Sequence, residues 1–387
     1  MSKRNIKITA VILLSFLILL TSFQQKNSSL VVSAVNYESS FHHALIESAG
    51  AWEITNGSSD ITIALIDSGI DFSHPDLINS AWVNSGEIFN NSIDDDSNGY
   101  IDDYSGWDFN SNDSFPGPEV DDPIHWHGTF QAGIIAAPID NDGIAGVAPN
   151  VTIMDLRVLN ATNYSNITME DFGNAIRYAV DNGADVISLS LQYYQDYSDY
   201  YDDIIYAINN NVPVVSATGN TWLADGGGRN FQSYPGGLSE VICVGATNEN
   251  STIADYSNYG EWTDIVAPVG NQGGTIKIIG IWSPDNYGTS YGTSFACDQV
   301  AAVVGLMRTL NYSLTVDEIK DILYRSSTDI GKKGKDILYG HGLLNASKAV
   351  RAVLDPSILI TTKTSFYLVF STVSFLVIAL INHKKKK

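Results

Sequence analysis

The apolar positions of this 387-residue chain fall into short β-branched runs, separated by longer stretches with helical spacing. An uninterrupted apolar run bounded by Gly, Pro, Asn or Asp reads as a strand buried on both faces. Six segments fit: Ile61–Ile66, Val151–Val158, Asp185–Leu189, Val212–Ala217, Val241–Ala246 and Ile276–Trp282. Apolar residues recurring every three or four positions predict helices over Glu170–Asn182, Tyr201–Asn210, Phe295–Leu310 and Val316–Ser326. This alternation argues for an α/β fold: a three-layer, doubly wound, mostly parallel sheet with helices on both faces. In such sheets a site forms beyond the C-terminal ends of the strands.

Both ends of the chain depart from that pattern. Met1 to Lys7 carries Lys3, Arg4 and Lys7, and Ile8 to Leu20 is almost wholly apolar. A charged stretch before an apolar one too short for a comfortable span is the layout of a signal peptide. Residues 1–34 are therefore expected to be a signal peptide or an uncleaved signal anchor. Val32-Ser33-Ala34 is the small-x-small cleavage candidate, but it lies far from the apolar stretch. Thr364–Ile381 is apolar and uncharged, and four lysines follow at 384–387. That length suits one C-terminal transmembrane helix, and the lysines suit the cytoplasmic side. A buried core helix is seldom apolar on every face. The expected organisation is a folded domain over 44–354 outside the cell, a tether over 355–363, a span over 364–381 and a basic tail over 382–387.

Charge sharpens this. The chain holds 21 basic and 43 acidic residues, a net of −22. Lys3, Arg4, Lys7, Lys363 and Lys384 to Lys387 lie in the terminal segments, where no acidic residue occurs. The part between them then has 13 basic and 43 acidic residues, a net of −30. Such a surface argues against nucleic-acid binding and favours cations. Asn-x-Ser/Thr sequons at Asn90, Asn112, Asn160, Asn163, Asn166, Asn250 and Asn311 fit a glycosylated outer surface. The two cysteines, Cys243 and Cys297, lie in apolar runs and read as buried thiols rather than a disulfide.

Candidate chemistry centres on Tyr291-Gly292-Thr293-Ser294-Phe295-Ala296, where a Gly-rich loop runs into an apolar helix. A serine at that junction has unpaired backbone N–H groups and the positive end of the helix dipole beside it. By itself it reads as an N-cap. A nucleophilic serine needs a general base, and the base an orienting carboxylate. Ile61–Ile66 delivers Asp67 at the end of a buried strand, followed by Ser68-Gly69. His127-Gly128-Thr129-Phe130-Gln131-Ala132-Gly133 opens a helix of small residues that can approach a sheet closely. The order Asp, His, Ser is that of the subtilisin type of triad.

With these flanks the chain resembles the subtilisin-like serine peptidases, or subtilases, over about 44–354. Their motifs look like Asp-Ser/Thr-Gly, His-Gly-Thr-x-x-Ala-Gly and Gly-Thr-Ser-x-Ala. Ser216-Ala217-Thr218-Gly219-Asn220 and Gly340-His341-Gly342-Leu343-Leu344-Asn345-Ala346 match two further stretches. The resemblance implies a serine endopeptidase with Asp67, His127 and Ser294 as its triad. It implies Asn220 as the side-chain donor to the oxyanion, and a polypeptide substrate. It also implies that Ser190, Leu191 and Gln192, with Ala217, Thr218 and Gly219, line the substrate cleft.

Departures from the family pattern are local. Gln192 stands where Gly is usual and would narrow or polarise the entrance to the main specificity pocket. Tyr291 replaces a small residue, and Phe130 the second His of His-Gly-Thr-His. Asp298 stands where Pro is usual; near a helix N-terminus an Asp is electrostatically favourable. Many subtilases carry an N-terminal pro-region that assists folding. Only about 40 residues precede Ile61 after the apolar stretch, and Ala44 to Trp52 already reads as the first helix of the domain. Either the protein folds without such a region, or a separate chaperone-like or inhibitor-like protein supplies it.

Between Asp67 and His127 lies Asp94-Asp95-Asp96-Ser97-Asn98-Gly99-Tyr100-Ile101-Asp102-Asp103. Asp94, Asp96 and Asn98 before Gly99 have the alternate-oxygen spacing of the first half of an EF-hand loop, with Asp102 as a further donor. Ser105 occupies the twelfth position where an EF-hand has Glu, so the loop is not one. A structural Ca²⁺ site is the expectation, a solvated acidic loop the alternative.

Two other functions fit the same residues. A transpeptidase would resolve the acyl-enzyme with an amine instead of water. A non-catalytic surface-binding module would keep the fold without the chemistry, which the intact Asp67, His127, Asn220 and Ser294 argue against.

Overall fold

A computed structural model describes residues 40–119, 125–140, 143–159, 168–191, 200–220, 232–283 and 286–359. In chain order the elements begin with helices α1 (Phe41–Ile46) and α2 (Ser48–Trp52), strands β1 (Thr62–Asp67) and β2 (Gly106–Asp108), and helix α3 (Trp126–Ala136). The middle holds β3 (Thr152–Arg157), α4 (Met169–Asp181), β4 (Val186–Leu189), α5 (Tyr201–Asn209), β5 (Val214–Ala217), β6 (Ile242–Thr247) and β7 (Ile265–Pro268). The chain continues with β8 (Ile278–Ser283), β9 (Asn286–Ser290), α6 (Ser294–Leu310), α7 (Val316–Ser326) and α8 (Ala346–Leu354).

The seven strands β1–β7 form one parallel sheet in the order β2-β3-β1-β4-β5-β6-β7. Its central strands are buried along their whole length, which is why they read as unbroken apolar runs. Alternate residues feed two separate cores. Ile63 and Leu65 of β1 pack with α3 and α6 on one face. Ala64 and Ile66 pack with α4 and α5 on the other. The mostly parallel α/β sheet expected from the sequence is thus present, with helices in both flanking layers.

Two expectations are corrected. The predicted strand Ile276–Trp282 does form a strand, β8, but it pairs antiparallel with β9 as a hairpin outside the main sheet. The first helix, read as continuous from Ala44, is broken at Glu47, whose φ of 59° separates α1 from α2. Cys243 and Cys297 are both buried free thiols.

Among the described residues no helix is long and apolar enough to cross a membrane. The segments expected as signal sequence (1–34), span (364–381) and tail (382–387), residues 360–363 of the tether, Gln192, and the sequons at Asn160, Asn163 and Asn166 lie outside the described residues.

Candidate active site

β1 ends on Asp67, whose backbone carbonyl accepts from Val158 and Leu159 at 2.9 and 3.0 Å, locking the strand end against the end of β3. The chain then turns at Gly69, whose φ is +94° and where a Cβ would lie 2.3 Å from the Pro116 carbonyl oxygen. Only glycine fits that turn. Gly128, in the first turn of α3, is constrained in the same way: a Cβ there would meet the Gly69 carbonyl at 2.5 Å. Its N–H donates to the Ser68 hydroxyl at 3.0 Å. The two glycines therefore let α3 press its first turn onto the end of β1.

That approach brings His127 to Asp67. The Nδ1 of His127 lies 2.7 Å from Oδ1 of Asp67, which is 1% exposed. The same oxygen accepts the Ser68 N–H at 2.8 Å. An acceptor-only carboxylate selects the tautomer with its proton on Nδ1, leaving Nε2 as a base. The imidazole ring lies 5.6 Å from the ring of Phe295, the residue after Ser294.

Ser294 is the first residue of α6 and is nearly buried. Its backbone N–H is one of those for which a helix has no carbonyl a turn back. Gly292, at φ +143°, makes the bend into the helix. Asn220 follows β5. Its Oδ1 accepts both the Thr293 N–H at 2.9 Å and the Thr293 hydroxyl at 3.0 Å. Holding the oxygen this way turns Nδ2 toward the loop, 3.5 Å from where a Gly292 Cβ would sit. The Thr293 hydroxyl in turn accepts from the Gly219 N–H at 3.2 Å. The loop after β5 and the loop before α6 are thereby joined around one threonine, a residue to which the sequence reading gave no role.

Of the expected cleft residues, Ser190 touches this centre directly: its hydroxyl donates to the Ser294 carbonyl at 3.4 Å. Leu191, Ala217 and Thr218 are buried. The Thr218 carbonyl is taken by the Ser233 hydroxyl and the Asn258 amide, at 2.6 and 3.1 Å. Gly219 gives its carbonyl to the Asn258 N–H at 2.9 Å. On the side of His127, Trp126 stacks on Trp282 of β8, ring centroids 4.1 Å apart. The sequence carried no signal for that pairing, because the two residues come from distant elements.

Asp298, expected near a helix N-terminus, lies there. It is wholly buried in the second turn of α6. Its Oδ1 accepts from the Ser188 hydroxyl at 3.1 Å and from Gln131 Nε2 at 3.3 Å.

The acidic loop converges differently from its spacing. Among the described residues, Glu87, Asp96 and Asp103 bring carboxylate oxygens within 4.8 Å of one another. Of the expected ligands only Asp96 belongs to that group. Asp94 caps the Asn98 and Gly99 N–H groups, and Asp102 caps those of Asn91 and Ser92. Asn98 gives its Oδ1 to the Tyr100 N–H and turns Nδ2 toward Asp96 and Asp103, presenting a donor instead of a lone pair. Glu87 and Asp103 were missed because one lies before the motif and the other just beyond the residues singled out. Glu87 and Asp103 are buried, and three close carboxylates with oxygen donors only are a set that suits a hard cation such as Ca²⁺.

Comparison with known proteins agrees with this geometry. The chain is 34% identical to the thermophilic serine proteinase of Bacillus sp. (strain AK1), over 78% of this chain and 64% of that protein. It is 32% identical to halolysin of Haloferax mediterranei, over 81% of this chain and 53% of that protein. Thermitase of Thermoactinomyces vulgaris is 33% identical, over 79% of this chain and 94% of thermitase. The chain thus spans less than two thirds of the first two relatives. The model of the subtilase family matches residues 58–342, which take in β1 with Asp67, α3 with His127 and the loop that leads into Ser294, and this chain belongs to that family.

Proposed function

We propose that the protein is a serine-type endopeptidase that cleaves polypeptides through an acyl-enzyme on Ser294. The observation that carries this reading is the 2.7 Å contact between His127 and the buried Asp67, beside the helix that Ser294 opens. His127 Nε2 takes the Ser294 proton as Oγ attacks the scissile carbonyl carbon. Asp67 keeps the imidazole in its tautomer and stabilises the imidazolium as it forms. The tetrahedral oxyanion is met by the Asn220 side-chain amide and the Ser294 N–H, donors fixed before the charge develops. His127 then gives its proton to the leaving amine, and water repeats the sequence to release the acid. The names of the relatives, thermophilic serine proteinase among them, support the same chemistry.

Ser190 and Leu191 on one side, and Ala217, Thr218 and Gly219 on the other, border the bound polypeptide. Glu87, Asp96 and Asp103 hold a structural Ca²⁺, whose charge offsets three carboxylates. The domain works outside the cell. It is held there by the apolar segment 364–381, a reading that rests on its sequence and on the lysines behind it.

The test is labelling with a fluorophosphonate, alongside hydrolysis of a peptide followed by product mass. Wild type is expected to label and hydrolyse, and Ser294→Ala to do neither. Hydrolysis at the wild-type rate by Ser294→Ala would remove the assignment.

A further inference from the structure

Gln131 lies one helical turn beyond His127, and Asp298 one turn beyond Ser294. Both are completely buried, and they meet. Gln131 Nε2 also donates to the Ser190 hydroxyl at 2.5 Å, and Ser190 donates onward to the Ser294 carbonyl. Ser188, two residues before Ser190 and wholly buried, donates to Asp298. One polar chain therefore ties together the helix that carries the base, the helix that carries the nucleophile, and the strand end beside the cleft.

We propose that Asp298, Gln131, Ser188 and Ser190 form a positioning network for the peptidase reaction, fixing the turn beneath the imidazole against the turn beneath Ser294. This rests on the roles given to Ser294 and His127 above.

Three observations support it. First, a buried polar cluster adds little stability over an apolar one of the same shape, so its advantage lies in specifying one arrangement. Four side chains from three elements with directional bonds do that; packed methyl groups do not. Second, the donors are disposed to one end. Both Gln131 N–H groups and both serine hydroxyls are engaged, whereas Asp298 Oδ2 and Gln131 Oε1 are buried with no partner among the described residues. The cluster is short of a proton. Third, among the described residues no cation acts on Asp298: the titratable neighbours facing it are Asp67 and the Cys297 thiol. Burial, and then the Asp67 charge, hold the Asp298 carboxyl well above the usual carboxylate range. A neutral acid supplies the missing proton on Oδ2 and spares Asp67 a second negative charge behind the imidazole.

The experiment measures kcat and KM per active site, with sites counted by fluorophosphonate titration, for wild type, Asp298→Ala and Asp298→Asn. Asp298→Ala is expected to lower kcat about ten- to a hundred-fold, the scale of a misplacement of the reacting groups, with KM within about two-fold. Asparagine, neutral with a carbonyl acceptor and an N–H donor in the place of the acid O–H, is expected to restore most of that loss. Asp298→Ala with wild-type kcat per titrated site overturns the network, as does a loss that asparagine does not reduce. Should Asp298→Ala fail to fold, the cycle of Ser188→Ala and Gln131→Met, which removes the two donors to Asp298, replaces it. Losses in kcat that are not additive support a shared network; additive losses overturn it. Failure of the peptidase reading looks different, because Ser294→Ala would then still hydrolyse peptide.

Discussion

Asn220 is held by Thr293 through both of that residue's donors, N–H and hydroxyl, on a single oxygen. The orientation of the Asn220 amide is therefore set by the residue that precedes the nucleophile. Replacing Asn220 with Ala removes one oxyanion donor and is expected to cost about a hundred- to a thousand-fold in kcat, with KM little changed. Thr293→Val keeps the N–H bond and the shape but loses the hydroxyl. Two hydrogen bonds are at stake, the one to Asn220 and the one from the Gly219 N–H, so a loss on the order of ten- to thirty-fold is expected, again in kcat. Steady-state kinetics on one peptide would check both. A Thr293→Val enzyme slower than Asn220→Ala would mean that the threonine does more than aim the amide.

The proposed triad predicts that Asp67, His127 and Ser294 act as a unit. Ser294→Ala and His127→Ala are each expected to lower kcat about a million-fold, the scale measured for this triad type in subtilisin. The double variant should be no worse than either single one. Asp67→Asn presents a donor as well as an acceptor to Nδ1 and favours the wrong tautomer. Its cost is expected to be on the order of ten thousand-fold. Single-turnover measurements with an activated ester would resolve these low rates. Independent, multiplicative losses for Ser294 and His127 would contradict the pairing.

The parallel sheet was legible because its strands are buried on both faces, so Ile61–Ile66 and Val241–Ala246 carry little but apolar residues. The meeting of Asp67 and His127 was legible because tight turns force glycines next to both, and those glycines mark the place. Strand β2, three residues long around Trp107, has no length over which a period can show. Glu87 and Asp103 reach Asp96 only through the path of the loop, which no local spacing encodes. Asp298 was visible as an odd residue, but its partners Gln131 and Ser188 lie on other elements. Local sequence thus carried what backbone geometry demands, and tertiary contact carried the rest.

The proposed anchorage rests on the uncharged segment 364–381 and the lysines after it. The full-length protein is expected to stay with membranes after carbonate extraction, and a chain ending at Asp355 to be released once its N-terminal segment is cleaved. Fractionation with an antibody to the folded domain reads this directly. Equal release of both forms would remove the span.

Acid should weaken the fold through His43. The ring is buried, with Nε2 2.9 Å from the Ala145 carbonyl and Nδ1 2.9 Å from the Ser48 hydroxyl, an arrangement that suits the neutral form. Burial lowers its pKa from 6.5 to about 4. Burial, and then the neighbouring His43, lower His42 as well. A base whose folded pKa is depressed binds its proton more readily when unfolded. Its stability is therefore intact above 6.5 and falls as pH drops toward 4. His43 alone contributes a loss of about 3 kcal/mol over that window. His43→Gln keeps a donor for Ala145 and no titration, so its stability in denaturant should fall less steeply between those pH values. The same slope in wild type and variant would assign the acid sensitivity to other groups.

Calcium should act through Glu87, Asp96 and Asp103, not through the spacing that first draws the eye. Each carboxylate of the three already accepts hydrogen bonds: Glu87 from the N–H groups of Asp95, Asp96 and Asp102, and Asp103 from Tyr178 at 2.5 Å. These bonds aim the oxygens but leave three like charges close together, two of them buried. A divalent cation removes that repulsion, so chelator is expected to lower Tm and added Ca²⁺ to restore it. Asp96→Asn should abolish most of the response, since it withdraws one charge without changing shape. Asp94→Asn is the informative control. Asp94 spends its two oxygens on backbone N–H groups, so the variant should lower Tm in chelator and in calcium alike and leave the difference between them intact. Differential scanning calorimetry of the two variants, each with and without calcium, separates the cases. Loss of the calcium response in Asp94→Asn but not in Asp96→Asn would return the site to the spacing read from the sequence.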